Sequence, residues 1–159
     1  MKTFVKGLRE GNAVVLDTET TGVNNRAEVL QIGIVSLEGE TLFNSLVKPA
    51  RAQRWDEAMG IHGISPADVQ DAPTMAELSP ELQAIMDGRV VAIYNADFDA
   101  RMLWQSVRAN TADKQFRWMG EQDWQCVMKA YAKYFGQRNR RYGSYKWQTL
   151  SNACRQQGI

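Results

Sequence analysis

Two carboxylates one residue apart, Asp17 and Glu19, stand in the run VVLDTETTG at residues 14–22. The apolar residues just before them mark a short buried strand, whose period of two puts Asp17 and Glu19 on one side and Thr18 on the other. Carboxylates held this close repel one another unless something neutralises them. A hard divalent cation, Mg²⁺ or Mn²⁺, matches carboxylate oxygen; a pair of solvated acids is the plain alternative. Asp99 is a third acid in a comparable setting. It follows the apolar run at residues 90–93, in the segment YNADFDARML, near the start of a helix. Functional groups collect at such strand ends in open α/β sheets, so the two strands are expected to bring Asp17 and Glu19 alongside Asp99.

The elements that must position these acids can be read in order. Residues 22–26 (GVNNR) form a turn, residues 29–37 alternate as a strand, Glu38-Gly39-Glu40 is a tight connection, and residues 41–47 return. Ser65-Pro66-Ala67-Asp68 has the grammar of a helix start. Thr74-Met75-Ala76-Glu77 is a capping box, opening a helix to about Met86 with Met75, Leu78, Leu82, Ile85 and Met86 in a stripe, stopped by Asp87-Gly88. Residues 90–93 suit a strand buried on both faces, and residues 98–110 a helix. A short strand before a helix at 127–135 comes next, then a polar basic loop at 138–146 and a helix at 147–157. Three meandering strands followed by alternating helix and strand predict an α/β fold, a mixed sheet with helices on its faces.

At 159 residues the chain fits one domain that buries roughly 70% of its unfolded surface. No apolar run approaches a membrane span, and residues 1–12 lack the apolar core of a signal peptide. The reading is an intracellular, cytoplasmic protein without a membrane partner. Cys126 and Cys154 have neither metal-site spacing nor disulfide density and read as buried free thiols. The net charge of +1 hides an asymmetry: residues 124–159 hold seven Lys and Arg and no acid, leaving 12 basic and 18 acidic residues before them. An acidic body with a basic end suits a protein that holds cations in one place and a polyanion in another.

VVLDTETTG, AMGIHGIS at residues 58–65 and YNADFDARML resemble, in order and spacing, N-terminal motifs of the DEDDh-type 3′–5′ exonucleases, the superfamily of the bacterial proofreading subunit. The resemblance implies a ribonuclease-H-like fold in which Asp17, Glu19 and Asp99 are catalytic, metal-ligating carboxylates of a two-metal phosphodiesterase. It implies release of nucleoside 5′-monophosphates from 3′ ends, of single-stranded DNA in the first instance, with repair or degradation as the setting. It assigns the 3′-terminal nucleotide to Thr20, Thr21, Ile61, His62, Asn95 and Phe98, with an aromatic and an aliphatic side chain sandwiching the base. His62 is the sole histidine; the motif favours substrate contact, whereas the residue alone reads as a structural hydrogen-bonder. Asp97 reads as solvent-facing or a helix cap, and Tyr94 stands where the family commonly has histidine.

In RNRRYGSYK, Arg138, Arg140, Arg141, Tyr142 and Lys146 are candidate nucleic-acid contacts, arginines on phosphates and tyrosines under bases. The family's last motif, H-x4-D, follows a segment much like WQTLSNACRQQGI, with which this sequence ends. A single domain shortened at its C-terminus, binding at most one metal well and nearly inactive, is therefore expected. Two further functions stay open at this stage: a non-catalytic single-strand binding module, and an oligoribonuclease.

Overall fold

The computed structural model describes residues 11–159; most of the segment bearing on a signal peptide, residues 1–10, lies outside the described residues. Five strands, β1 (Ala13–Thr20), β2 (Val29–Ser36), β3 (Thr41–Leu46), β4 (Val90–Ile93) and β5 (Asp123–Cys126), form one sheet in the order β3-β2-β1-β4-β5. The β1–β2 and β2–β3 pairs are antiparallel, the β1–β4 and β4–β5 pairs parallel. This is the expected mixed sheet. The helices are α1 (Asp56–His62), α2 (Met75–Met86), α3 (Ala96–Ala109), α4 (Val127–Phe135) and α5 (Leu150–Gln157), with a 3-10 turn at Arg117–Gly120. No helix among the described residues is long and apolar enough to cross a membrane.

The alternation of β1 decides how the site is built. Val14, Leu16, Thr18 and Thr20 are buried, whereas Val15 and Asp17 are exposed and Glu19 is half-buried. Helices on both faces were expected; around Val15 and Asp17 the outer face is open among the described residues. α3 crosses the covered face with Met102, Leu103 and Val107 in the main core, and the Val29 amide donates to Ser106 Oγ at 2.7 Å. At the end of β1 the register jumps from Glu19 opposite Gln31 to Thr20 opposite Val29, leaving Leu30 as a bulge. A bulge turns side chains to the other face. Ile32 and Ile34 therefore join the main core, while Leu30 joins a second, smaller cluster with Trp55, Ile64 and Val69. That second cluster seats α1 beside the end of β1.

Thr74 and Glu77 cap α2 reciprocally, as the capping box predicts. Ser65-Pro66-Ala67-Asp68 does not open a helix. Asp68 does accept from the Ser65 amide and hydroxyl, at 2.7 and 2.6 Å, but successive i to i−3 bonds at Asp68, Gln70 and Ala72 make a run of turns that ends at Pro73. Those i to i−3 bonds stand where an α-helix would need the i to i−4 pattern. The C-terminal helix begins at Leu150 rather than residue 147, because Thr149 accepts from the Asn152 amide as its N-cap. The basic loop is a small hairpin, β6 (Arg138–Asn139) against β7 (Ser144–Tyr145), closed through Gly143 at φ 62°. Cys126 and Cys154 are free but half-buried rather than buried.

Candidate active site

β1 and β4 run parallel, so their C-terminal ends, carrying Asp17, Glu19 and the entry to α3, lie at one edge of the sheet. Asp99 occupies the first turn of α3 and is 4% exposed. Its closest hydrogen-bond partner is neither strand acid but the residue between them: Thr18 Oγ1 donates to Asp99 Oδ1 at 2.8 Å. The strand period explains this, since Thr18 is the residue that β1 turns toward α3. Burial, with the Asp17 charge adding to it against the Thr18 hydroxyl, raises the Asp99 carboxyl to about 6. Partial desolvation also raises the Asp17 carboxyl from its ordinary value, opposed by the Thr18 amide. Thr18 thus couples the two carboxylates through its hydroxyl and its backbone.

Asp17 opens onto a groove of about 250 Å³ on the outer face, lined by Gln31, Gly33 and Asn44. Gly33 lies directly across from Asp17 in the register and leaves space beside it. Glu19 lines both this groove and a larger pocket of about 550 Å³ formed with Thr18, Thr20, Thr21, Trp55, Ile61, His62 and Phe98. The donor set fits a hard dication, being all carboxylate, with two members whose ionised forms gain from a neighbouring positive charge. Among the described residues no three His, Cys, Asp or Glu side chains already stand at metal-ligand spacing. Asp17 and Asp99 interact, and Glu19 lies along the wall between the groove and the pocket.

Thr20, Thr21, Ile61, His62 and Phe98 line the pocket, whereas Asn95 is exposed at the start of α3 and does not. Ile61 is 87% exposed, an aliphatic side chain standing free on a helix that buries none of its own residues. Phe98 is half-buried, with the Arg101 guanidinium 5.5 Å from its ring centre. The ring of His62 is committed to backbone at both nitrogens. Nδ1 accepts from the Ile64 amide at 3.0 Å, so Nε2 carries the proton and faces the Thr20 carbonyl at 3.1 Å. His62 therefore ties α1 to the end of β1. Thr20 spends its hydroxyl proton on the Gly22 carbonyl, whereas Thr21 Oγ1 accepts from the Glu28 amide and keeps its own proton. Asp97 is exposed and paired with Lys129.

Sequence reasoning missed α1, Trp55 and Glu28. The acid pair Asp56-Glu57 after a tryptophan, with Gly63 at φ 78° as the stop, is a legible helix signal. Trp55 Nε1 donates to the Ile64 carbonyl and closes that helix into a unit. Glu28 is 1% exposed, and its carboxylate accepts from the amides of Ala50, Arg51 and Ala52 at 2.8, 3.0 and 2.8 Å. It holds the loop that leads into α1.

The exonuclease family model (RNase T) matches residues 14–158, nearly the whole chain. The chain belongs to the exonuclease family. An uncharacterized exonuclease, CP81, of Escherichia phage 186 is 32% identical to this exonuclease over 151 residues, which is 94% of the chain and 77% of that protein. The DNA polymerase III epsilon subunit of Escherichia coli is 36% identical over 96 residues, 54% of this chain and 39% of the subunit. Among solved structures, exonuclease X in complex with 5′ overhanging duplex DNA superposes with a TM-score of 0.63 at 23% identity, covering 92% of this exonuclease and 74% of that chain. Product-bound exonuclease I gives 0.69 at 20%, covering 92% and 38%, and both likenesses support the fold. This exonuclease is a 3′–5′ phosphodiester hydrolase of a family that generally works with divalent metal ions.

Proposed function

We propose that this exonuclease shortens single-stranded DNA from its 3′ end, releasing nucleoside 5′-monophosphates, with Mg²⁺ or Mn²⁺ held by Asp17, Glu19 and Asp99. The observation that carries this reading is the 550 Å³ pocket whose wall includes Glu19 and Thr18, the partner of Asp99, together with an exposed Ile61 and a half-buried Phe98. Its volume lies within the range of about 300–1,000 Å³ for small-ligand sites. Ile61 and Phe98 hold the terminal base by its faces, independent of its identity. Thr21, with its hydroxyl proton free, donates to the terminal sugar; Thr20 shapes the backbone. A bound dication would polarise the scissile phosphate and lower the pKa of the attacking water.

His62 shapes the pocket and does not take the proton of that water, because both of its nitrogens are engaged. A general base contributes about 10²–10⁴ in rate. His62 is accordingly not the source of that rate. The test uses one oligodeoxynucleotide labelled at either end, with Mg²⁺, Mn²⁺ or EDTA. Cation-dependent release of the 3′ label as a mononucleotide, with the 5′ label retained on a shortening ladder, is expected. Release of the 5′ label first, or cleavage undiminished in EDTA, overturns the reading.

A further inference from the structure

The β6–β7 hairpin lies outside the pocket, and its side chains are already arranged in pairs. Arg138 is opposite Tyr145 in the register, with its guanidinium 4.7 Å from the Tyr145 ring centre, and Arg141 sits 5.4 Å from the ring of Tyr142. The turn between the strands is fixed locally: Asn139 Oδ1 accepts from the Arg141 amide and the Asn139 carbonyl from the Tyr142 amide. Tyr142 is 69% exposed, and Trp147, just past the hairpin, is 61% exposed. Residues 124–159 supply no carboxylate to neutralise the arginines. Planar cations beside exposed rings in a segment without acids present stacking faces and phosphate donors together, the combination that suits single-stranded nucleic acid.

The root of the hairpin is fastened to the site edge of the sheet. Gln148, buried behind it, takes a bond on its carbonyl from Tyr94 Oη at 3.0 Å and donates through Nε2 to Gln137 Oε1 and the Lys146 carbonyl. Tyr94 directly follows β4, and its own carbonyl accepts from Met128 as α4 begins. The hairpin is therefore joined through one tyrosine to the strand end from which α3 carries Asp99.

Building on the exonuclease reading, we propose that the β6–β7 hairpin is a second nucleic-acid subsite, gripping the nucleotides that lie 5′ of the terminal one in a single strand. Arg138 and Arg141 bind backbone phosphates, and Tyr142 and Trp147 stack on bases. The pocket then reads the end, and the hairpin sets how long a strand must be to bind well.

The test measures anisotropy of labelled oligodeoxynucleotides of two and twelve residues against salt, in EDTA so that no cleavage competes. Arg138→Ala combined with Arg141→Ala is expected to weaken twelve-mer binding at least tenfold. It should flatten the salt dependence by about 1.4, two phosphates at about 0.7 each for a single strand, with the melting temperature and dimer binding held. Tyr142→Ala weakens the twelve-mer several-fold and Tyr142→Phe restores it. Twelve-mer affinity and salt slope equal to wild type in both variants overturn the subsite. So does tighter binding of polyglutamate than of the twelve-mer, which would make the hairpin a dock for acidic protein. Cleavage of the 3′-labelled strand by wild type, followed in parallel, keeps the two readings apart: if cleavage persists and the variants bind normally, only the hairpin assignment fails.

Discussion

Two carboxylates in this molecule are almost equally removed from water, and they are treated in opposite ways. Glu28, 1% exposed, receives three backbone amides in a loop. Asp99, 4% exposed, takes the Thr18 hydroxyl at 2.8 Å while burial and the nearby Asp17 charge push its carboxyl up to about 6. A buried acid surrounded by donors is a structural clip, because each hydrogen bond it accepts holds the folded loop in place. A buried acid left beside another acid is costly to the fold and earns its place through chemistry. Burial alone does not separate the two; the Asp17 charge beside Asp99 does.

The sharpest way to break this contrast is Asp99→Asn. It should lower cation-dependent hydrolysis of a 3′-labelled strand by about 10³-fold or more, since several kcal/mol of charge stabilisation leaves with the cation. Thermal stability without metal should hold or rise, and a clear fall in melting temperature with activity kept would reverse the two roles. Next in size is Glu28→Gln, which turns an amide donor toward the loop amides. A loss of about 2–3 kcal/mol is expected, read as a melting temperature lower by roughly 4–12 °C for a domain of this size. An unchanged melting temperature would remove Glu28 as the clip.

A smaller effect is the pH dependence. The folded pKa of Asp99, about 6, lies above its ordinary value of 3.8, so the folded state binds this proton more tightly than the unfolded one. Its contribution to stability is thus fully present below about pH 4 and is lost as pH rises through about 6, roughly 2 kcal/mol in all after allowance for screening. Asp68 and Glu77, whose carboxyls are held low by Ser65 and Thr74, act in the opposite sense. The difference between wild type and Asp99→Asn, followed by denaturant titration of the metal-free protein from pH 4 to 7, isolates the Asp99 contribution. A difference that does not vary with pH would contradict the perturbed carboxyl. The smallest stability change belongs to Ile61→Ala. With the side chain 87% exposed, stability should move by less than about 0.5 kcal/mol, while KM for the 3′ end rises several-fold; an unchanged KM would take Ile61 out of the base-binding surface.

Much of this was legible before any coordinates. The alternation in residues 13–20 placed Asp17 and Glu19 on one face, the capping box placed α2, and the continuous apolar run at 90–93 placed β4 inside the sheet. The less legible features depend on distant partners. Glu28 reads as one more surface acid until the loop at 50–52 folds over it, and the basic loop reads as loop because a hairpin with two-residue strands carries little periodic signal.

By itself, the sequence determined the five sheet strands, the longer helices and the family, because local periodicity and motif spacing survive without a third dimension. Only the tertiary structure decided that Asp99 rests on Thr18 rather than between the strand acids, that His62 spends both nitrogens on backbone, and that Asn95 stands outside the pocket. The Asp99–Thr18 and His62–Thr20 contacts join residues 81 and 42 apart in sequence. Packing sets such meetings, and no window along the chain contains both partners.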